Sequence, residues 1–90
     1  LRKITTVISF KIKSKFEEWA KFFDSKEADR RHSEFDIKPL FRGFRKDDPK
    51  KYICIDQTPE GNIQKLVQAK SEWIKSHKVN LLTMEELTWI

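Results

Sequence analysis

Residues 37–57 read IKPLFRGFRKDDPKKYICIDQ. Two extended segments, Ile37–Arg45 and Lys51–Gln57, flank Lys46-Asp47-Asp48-Pro49-Lys50. The flanks carry Ile, Phe and Tyr in near-alternation, and the Asp-Asp-Pro centre is turn chemistry. The stretch therefore predicts a β-hairpin. Pro39 has no backbone donor, which places the second strand of the chain at a sheet edge or at a bulge. On the third strand Ile53 and Ile55 share one face, and Tyr52, Cys54 and Asp56 share the other. Leu40 and Phe41 point to opposite faces, so the hairpin is apolar on both sides.

Outward from the hairpin, Thr5–Lys13 (TTVISFKIK) alternates with a period of two. Its even face holds Ile8, Phe10 and Ile12, and is expected to meet helices. Ser14 and Glu17 fit a capping box. Phe16, Trp19, Ala20 and Phe23 then repeat at helical spacing, predicting a first helix that reaches about Ser33. A second cap signal, Asp24-Ser25-Lys26-Glu27, predicts a kink or restart near Asp24. Beyond the hairpin, Thr58 as N-cap and Pro59 at the first helical position open a second helix. Its stripe is Ile63, Leu66, Val67, Trp73 and Ile74, and Asn80 is its expected left-handed stop. Thr83–Ile90 is the last strand.

The order is β-α-β-β-α-β, an α+β plan of ferredoxin-like type. It has a four-stranded antiparallel sheet with two helices on one face, the first and third strands central. All 90 residues fit one domain of this kind. A chain this short buries only about two-thirds of its unfolded surface, so its core is thin. Seven Phe, three Trp and one Tyr supply bulk that the 38% hydrophobic content alone would not. Two helices cover one sheet face. The other is assigned Val7, Tyr52, Cys54 and one of Leu40 or Phe41, and such a patch needs a partner. A second copy of the same sheet is the expected cover, giving a homodimer and a dimeric α/β barrel.

The helix-end pattern His32-x-x-x-x-Ile37-Lys38, the Asp-Asp-Pro turn, the Pro-Glu-Gly helix start and Ser71-Glu-Trp-Ile-Lys75 together resemble the dimeric α+β barrel superfamily. Antibiotic-biosynthesis monooxygenases are one branch of it. TTVISFKI, FEEWAKFFDSKEADRRH, IKPLFRG and EWIKSHKV look more closely like a small family of unknown function associated with marine cyanobacteria. The resemblance spans nearly the whole chain and implies face-to-face pairing of two sheets. It brings no activity with it. Asp36 stands where Gly is frequent in the superfamily, at the turn that ends the helix.

Net charge is +5 and the pI is about 9.4. The lysines and arginines are spread along the chain in short clusters, which reads as solvated surface, and no nucleic-acid partner is expected. KKYICIDQ lacks the aromatic signature with which RNA-recognition modules stack bases, although the element order is shared. One cysteine excludes an internal disulfide and suits a reducing, cytoplasmic compartment. No apolar run approaches the roughly 18–20 residues that span a membrane.

Candidate site residues are His32, Arg42, Tyr52 and Asp56, with Cys54 beside them, lining a pocket between sheet and helices or between paired sheets. His32 suits acid–base work near neutral pH, and an enclosed Asp56 would have a shifted pKa. In structural terms His32 is a helix-end cation, Tyr52 and Cys54 are interface packing, and Asp56 is half of an ion pair or a helix cap. Trp73 and His77 resemble the haem-contacting pair of some superfamily members, but their spacing differs and the first strand has no Asn. No haem or other cofactor is expected. His32 and His77 lie far apart and no Cys/His cluster has zinc spacing, so no metal is expected either. The functional expectation is a small hydrophobic ligand. A cofactor-independent monooxygenase- or isomerase-like enzyme and an RNA-binding module stand as alternatives.

Overall fold

The computed structural model describes residues 3–90. The elements are β1 (Lys3–Ile12), α1 (Phe16–Phe23), α2 (Lys26–Glu34), β2 (Lys38–Arg45), β3 (Asp48–Pro59), α3 (Asn62–Ser76) and β4 (Val79–Trp89). The four strands form one antiparallel sheet in the order β2-β3-β1-β4, so β1 and β3 are central and β2 and β4 are the edges.

There are three helices rather than two. The first expected helix breaks at Asp24, and Ser25 restarts it by accepting a hydrogen bond at Oγ from the Ala28 backbone N–H at 3.1 Å. Ser25 also donates to the Phe22 carbonyl at 2.6 Å, which ties the end of one helix to the start of the next. The capping box at Ser14 does not form. Lys15 is the N-cap of α1 and contributes no side-chain hydrogen bond. Ser14 is pulled into the core instead, where its carbonyl accepts the Tyr52 hydroxyl at 2.7 Å.

The hairpin is tighter than the Lys46–Lys50 turn implied, because β3 resumes at Asp48. Arg45 faces Asp48, with an irregularity in register between Phe44 and Arg45. A second irregularity falls between Pro39 and Phe41, on the edge strand where a proline is tolerated. At the far end of β3, Thr58 and Pro59 continue the strand opposite Ile4 and Lys3 rather than opening a helix. Gly61, at φ 88°, is the N-cap of α3, a left-handed position that glycine adopts without strain. The stop beyond α3 is Lys78 at φ 68°, not Asn80, which already belongs to β4. Asp36 takes φ 55° at the turn out of α2.

The largest correction concerns which side of the sheet faces the helices. Tyr52, Cys54, Asp56 and Thr58 are buried, whereas Ile53 and Ile55 on the alternate face are only half-buried. Cross-strand register carries the same phase across the sheet: Phe10 opposes Tyr52 and Ile8 opposes Cys54, while Val7 opposes both Ile55 and Leu87. Tyr52 and Cys54 therefore belong to the helix-covered face, not to the open one. The physical reason is the aromatic cluster that Tyr52 joins. Its ring lies 5.2 Å from Trp19, 5.3 Å from Phe16 and 6.2 Å from Phe10, and its hydroxyl finds a carbonyl that an open sheet face would not offer. Edge-to-face aromatic pairs of this kind contribute roughly 0.5–1.5 kcal/mol each beyond their buried area.

Candidate functional site

A cavity of about 90 Å³ lies between the sheet and all three helices. Its floor is the inward face of the central strands, Ile8 and Phe10 from β1 with Cys54 and Asp56 from β3. Trp19, Phe22 and Phe23 of α1 form one wall, and Ile63, Leu66, Val67, Trp73 and Ile74 of α3 form another. Ala28 and His32 come from α2, one turn apart on the same helix face, and Met84 and Val79 close the side toward β4. Apart from Phe22, these wall residues are those of the amphipathic stripes read from the sequence, so the stripes that build the core also build the cavity.

Within this apolar lining stand two ionisable side chains of particular interest. Asp56 is 3% exposed, and its Oδ1 is buried without a hydrogen-bond partner. On its neighbouring strands it faces Thr6 and Pro39. Thr6 spends its hydroxyl on the Asp56 backbone carbonyl at 3.5 Å, and Pro39 has no N–H to give. Burial without compensation pushes the Asp56 carboxyl up to about 7. His32 presents a buried Nδ1, also unpartnered, with its ring 5.2 Å from Phe23. Burial lowers the His32 pKa, opposed by the nearby charge of Asp29, so the imidazole is neutral at pH 7. Burial also raises the Cys54 thiol well above its ordinary range, reinforced by Asp56 and opposed by Arg42, which keeps it protonated. The lining thus holds a carboxyl that titrates near neutrality, a neutral imidazole and a protonated thiol.

The four candidate residues separate. His32 and Asp56 line the cavity together. Tyr52 is locked into the aromatic cluster and to Ser14, with burial raising its pKa. Arg42 sits on the edge strand, where its Nε donates to Asp24 Oδ1 at 2.8 Å and its guanidinium lies 5.6 Å from the Phe16 ring. His32 is not a solvated helix end, and among the described residues Asp56 has no ion-pair partner and caps no helix. Asp56 stands out in the sequence as an acid whose pKa enclosure would shift. The part played by Trp73 in the cavity has no such mark, because it reads simply as a stripe residue, and Phe22 falls outside the stripe of the first helix altogether. His77 stacks on Phe22 at 3.5 Å and lies outside the cavity lining. Among the described residues no three His, Cys, Asp or Glu side chains converge as a metal site.

A four-stranded antiparallel sheet backed by helices, with a small cavity between the layers, defines a small α+β domain. Residues 3–90 match the family described as Domain of unknown function (DUF3764), and the chain belongs to that family. No curated protein and no solved structure matches the chain. Among the described residues no helix is long and apolar enough to cross a membrane.

Proposed function

We propose that the protein binds a small, mainly apolar molecule in the cavity between sheet and helices, and that Asp56 and His32 hold that molecule's one polar group. One observation carries this reading: two buried polar atoms, Asp56 Oδ1 and His32 Nδ1, lack partners in the same apolar cavity. An unpaired buried polar atom costs about 1–3 kcal/mol, and a ligand that satisfies it recovers that cost on binding. The pocket belongs to a ferredoxin-like protomer that pairs, in this reading, with a second copy through the helix-free face. Val7, Ile53, Ile55, Phe41, Leu87 and Trp89 form that face, and Phe41, Leu87 and Trp89 are 54%, 59% and 60% exposed. A reducing, cytoplasmic setting suits the buried free thiol of Cys54.

Trp19 and Trp73 line the cavity, so their fluorescence reports its occupancy. Phenol is expected to change that fluorescence saturably and to bind about tenfold more tightly than toluene. Asp56→Leu is expected to reverse the preference. Absence of a saturable change with either probe, in a protein that still melts cooperatively, rejects the cavity as a binding site.

A second reading adds proton transfer, because a carboxyl near pH 7 that has no ion-pair partner among the described residues is poised as a general base. In a monooxygenase- or isomerase-like enzyme Asp56 would take a proton from the carbon beside a substrate carbonyl. Cyclopentanone in D₂O tests this step: exchange of its α-protons should rise with the wild-type protein and fall to background with Asp56→Asn.

A further inference from the structure

At one end of the sheet lies a groove of about 630 Å³ that is separate in character from the apolar cavity. Three chain segments build it: the end of β1, the start of β3 and the turn from α3 into β4. Ile12 and Val79, directly paired across β1 and β4, form its floor. Lys11, Lys13, Lys50 and Lys78 form its rim together with Asn80. Among the described residues no carboxylate lines it, and none of these four lysines is in a salt bridge.

The concentration of charge is a cost that the fold carries. Lys11 lies directly opposite Lys51 in the β1–β3 register, an arrangement that like charges disfavour. The Lys50 ammonium donates to the Lys13 carbonyl at 2.9 Å, which holds two of the chain segments and their charges together. Lys78 takes a left-handed backbone conformation that most side chains avoid. Asp48, two residues before Lys50, accepts the Lys50 backbone N–H at Oδ1 at 3.1 Å rather than an ammonium. These four are among the 19 Lys and Arg residues of a chain whose net charge is +5. A concave site lined by one sign of charge concentrates counter-ions of the other.

We infer that this groove binds a small molecule bearing two or more linked phosphate groups. Multiple negative charges are required, because a single anion cannot neutralise four ammonium groups. Lysine is a point-charge donor with three hydrogens that adapts to tetrahedral phosphate oxygens. The volume is in the range of small-molecule sites, roughly 300–1,000 Å³. No aromatic side chain lines the groove to stack a base, which disfavours single-stranded nucleic acid as the occupant. The aliphatic floor and the Asn80 amide leave room for an uncharged portion attached to the phosphates.

The test is titration of inorganic tripolyphosphate into the full chain at low salt, followed by calorimetry and backbone amide NMR. Saturable binding is expected, with shifts concentrated at residues 11–14, 50–51 and 78–80. Lys13→Gln with Lys50→Gln should weaken binding at least about tenfold. Lys65→Gln, which removes an exposed charge on α3, should leave it within about twofold. Equal loss in the Lys65→Gln control would mean general charge attraction and overturn the proposal. So would shifts spread over the whole surface, or no saturation. Tighter binding of a single-stranded RNA than of tripolyphosphate, lost in the double variant, would assign the groove to nucleic acid and overturn it as well.

Discussion

The two faces of β3 carry neighbouring residues to opposite environments. Tyr52, Cys54, Asp56 and Thr58 point into the helix-covered layer, and Ile53 and Ile55 point away from it. The covered face is the more polar of the two. Ile53 and Ile55 would bury more apolar area per polar atom, yet they are the pair left half-exposed. The difference shows that burial is decided by the whole layer rather than by one strand. Helices offer irregular surfaces, carbonyls at their ends and space, which suit a tyrosine with a hydroxyl to satisfy. The open face sets Val7 opposite Ile55 and Leu87, with Ser9 between Ile53 and Glu85 beside them. In the dimer proposed above, a second copy of this sheet covers it.

The sharpest way to break this comparison is to empty the covered face. Tyr52→Ala removes the ring shared by Phe10, Phe16 and Trp19 and leaves the Ser14 carbonyl unpaired, so a loss of about 3–5 kcal/mol is expected in urea unfolding. Tyr52→Phe keeps the ring and should cost only about 1 kcal/mol. If Tyr52→Ala costs no more than Tyr52→Phe, the aromatic cluster is not what holds this face.

Asp56 gives the covered face a pH signature. Its folded pKa of about 7 lies above the ordinary 3.8, so the folded state holds the proton more tightly than the unfolded chain does. The stabilising effect is fully present below about pH 4 and is lost as pH rises toward and through 7, with a full span on the order of 4 kcal/mol. His32 works in the other direction, since its lowered pKa favours the neutral ring and removes stability as pH falls below 6.5. Asp56→Asn should abolish the loss on the alkaline side, and His32→Phe should abolish the loss on the acid side. Melting temperatures measured from pH 4 to 8 separate the two, and an unchanged profile in Asp56→Asn would contradict an unpaired carboxyl.

On the open face the readout is assembly rather than folding. Ile55→Lys places a charge on the face of Val7, Phe41 and Leu87, and should shift the proposed dimer to a monomer at micromolar concentration, read as mass in solution. Its protomer stability should change by less than about 1 kcal/mol, since the site is half-exposed. A wild-type protein that is already monomeric would remove the second sheet from the account. The smallest effect is expected at the edge. Asp24→Asn breaks the pair with Arg42, which holds the Asp24 carboxyl below its usual pKa, and should cost about 0.2–1 kcal/mol because both groups are exposed.

Much of this was legible before any coordinates. Thr5–Lys13 and Lys51–Gln57 announce strands by alternation, and Asp24-Ser25-Lys26-Glu27 announces the break that divides α1 from α2. Helix boundaries were less legible where two signals competed. Ser14 carries a capping box, but its carbonyl is claimed by Tyr52 from a distant strand, and the helix begins without it. Thr58-Pro59-Glu60 has the chemistry of a helix start, yet pairing with Ile4 and Lys3 extends the strand and passes the N-cap to Gly61. In both cases a long-range contact outweighed a local preference. The candidate site divided in the same way. His32 and Asp56 were nameable as residue types, but only packing separates them from Tyr52 and Arg42.

Taken alone, the sequence determined which residues travel together: the even set on β1, the Tyr52–Cys54–Asp56 set on β3, and the apolar stripes of the helices. These follow from backbone geometry, because alternation and helical spacing are local properties that any fold must respect. Only the tertiary structure decided which set of β3 faces inward, that His32 and Asp56 share one cavity, and that lysines from three segments share one groove. Those outcomes depend on where helices cross the sheet and on which strands become neighbours. Contacts between residues far apart in the chain set both, and no window of sequence contains them.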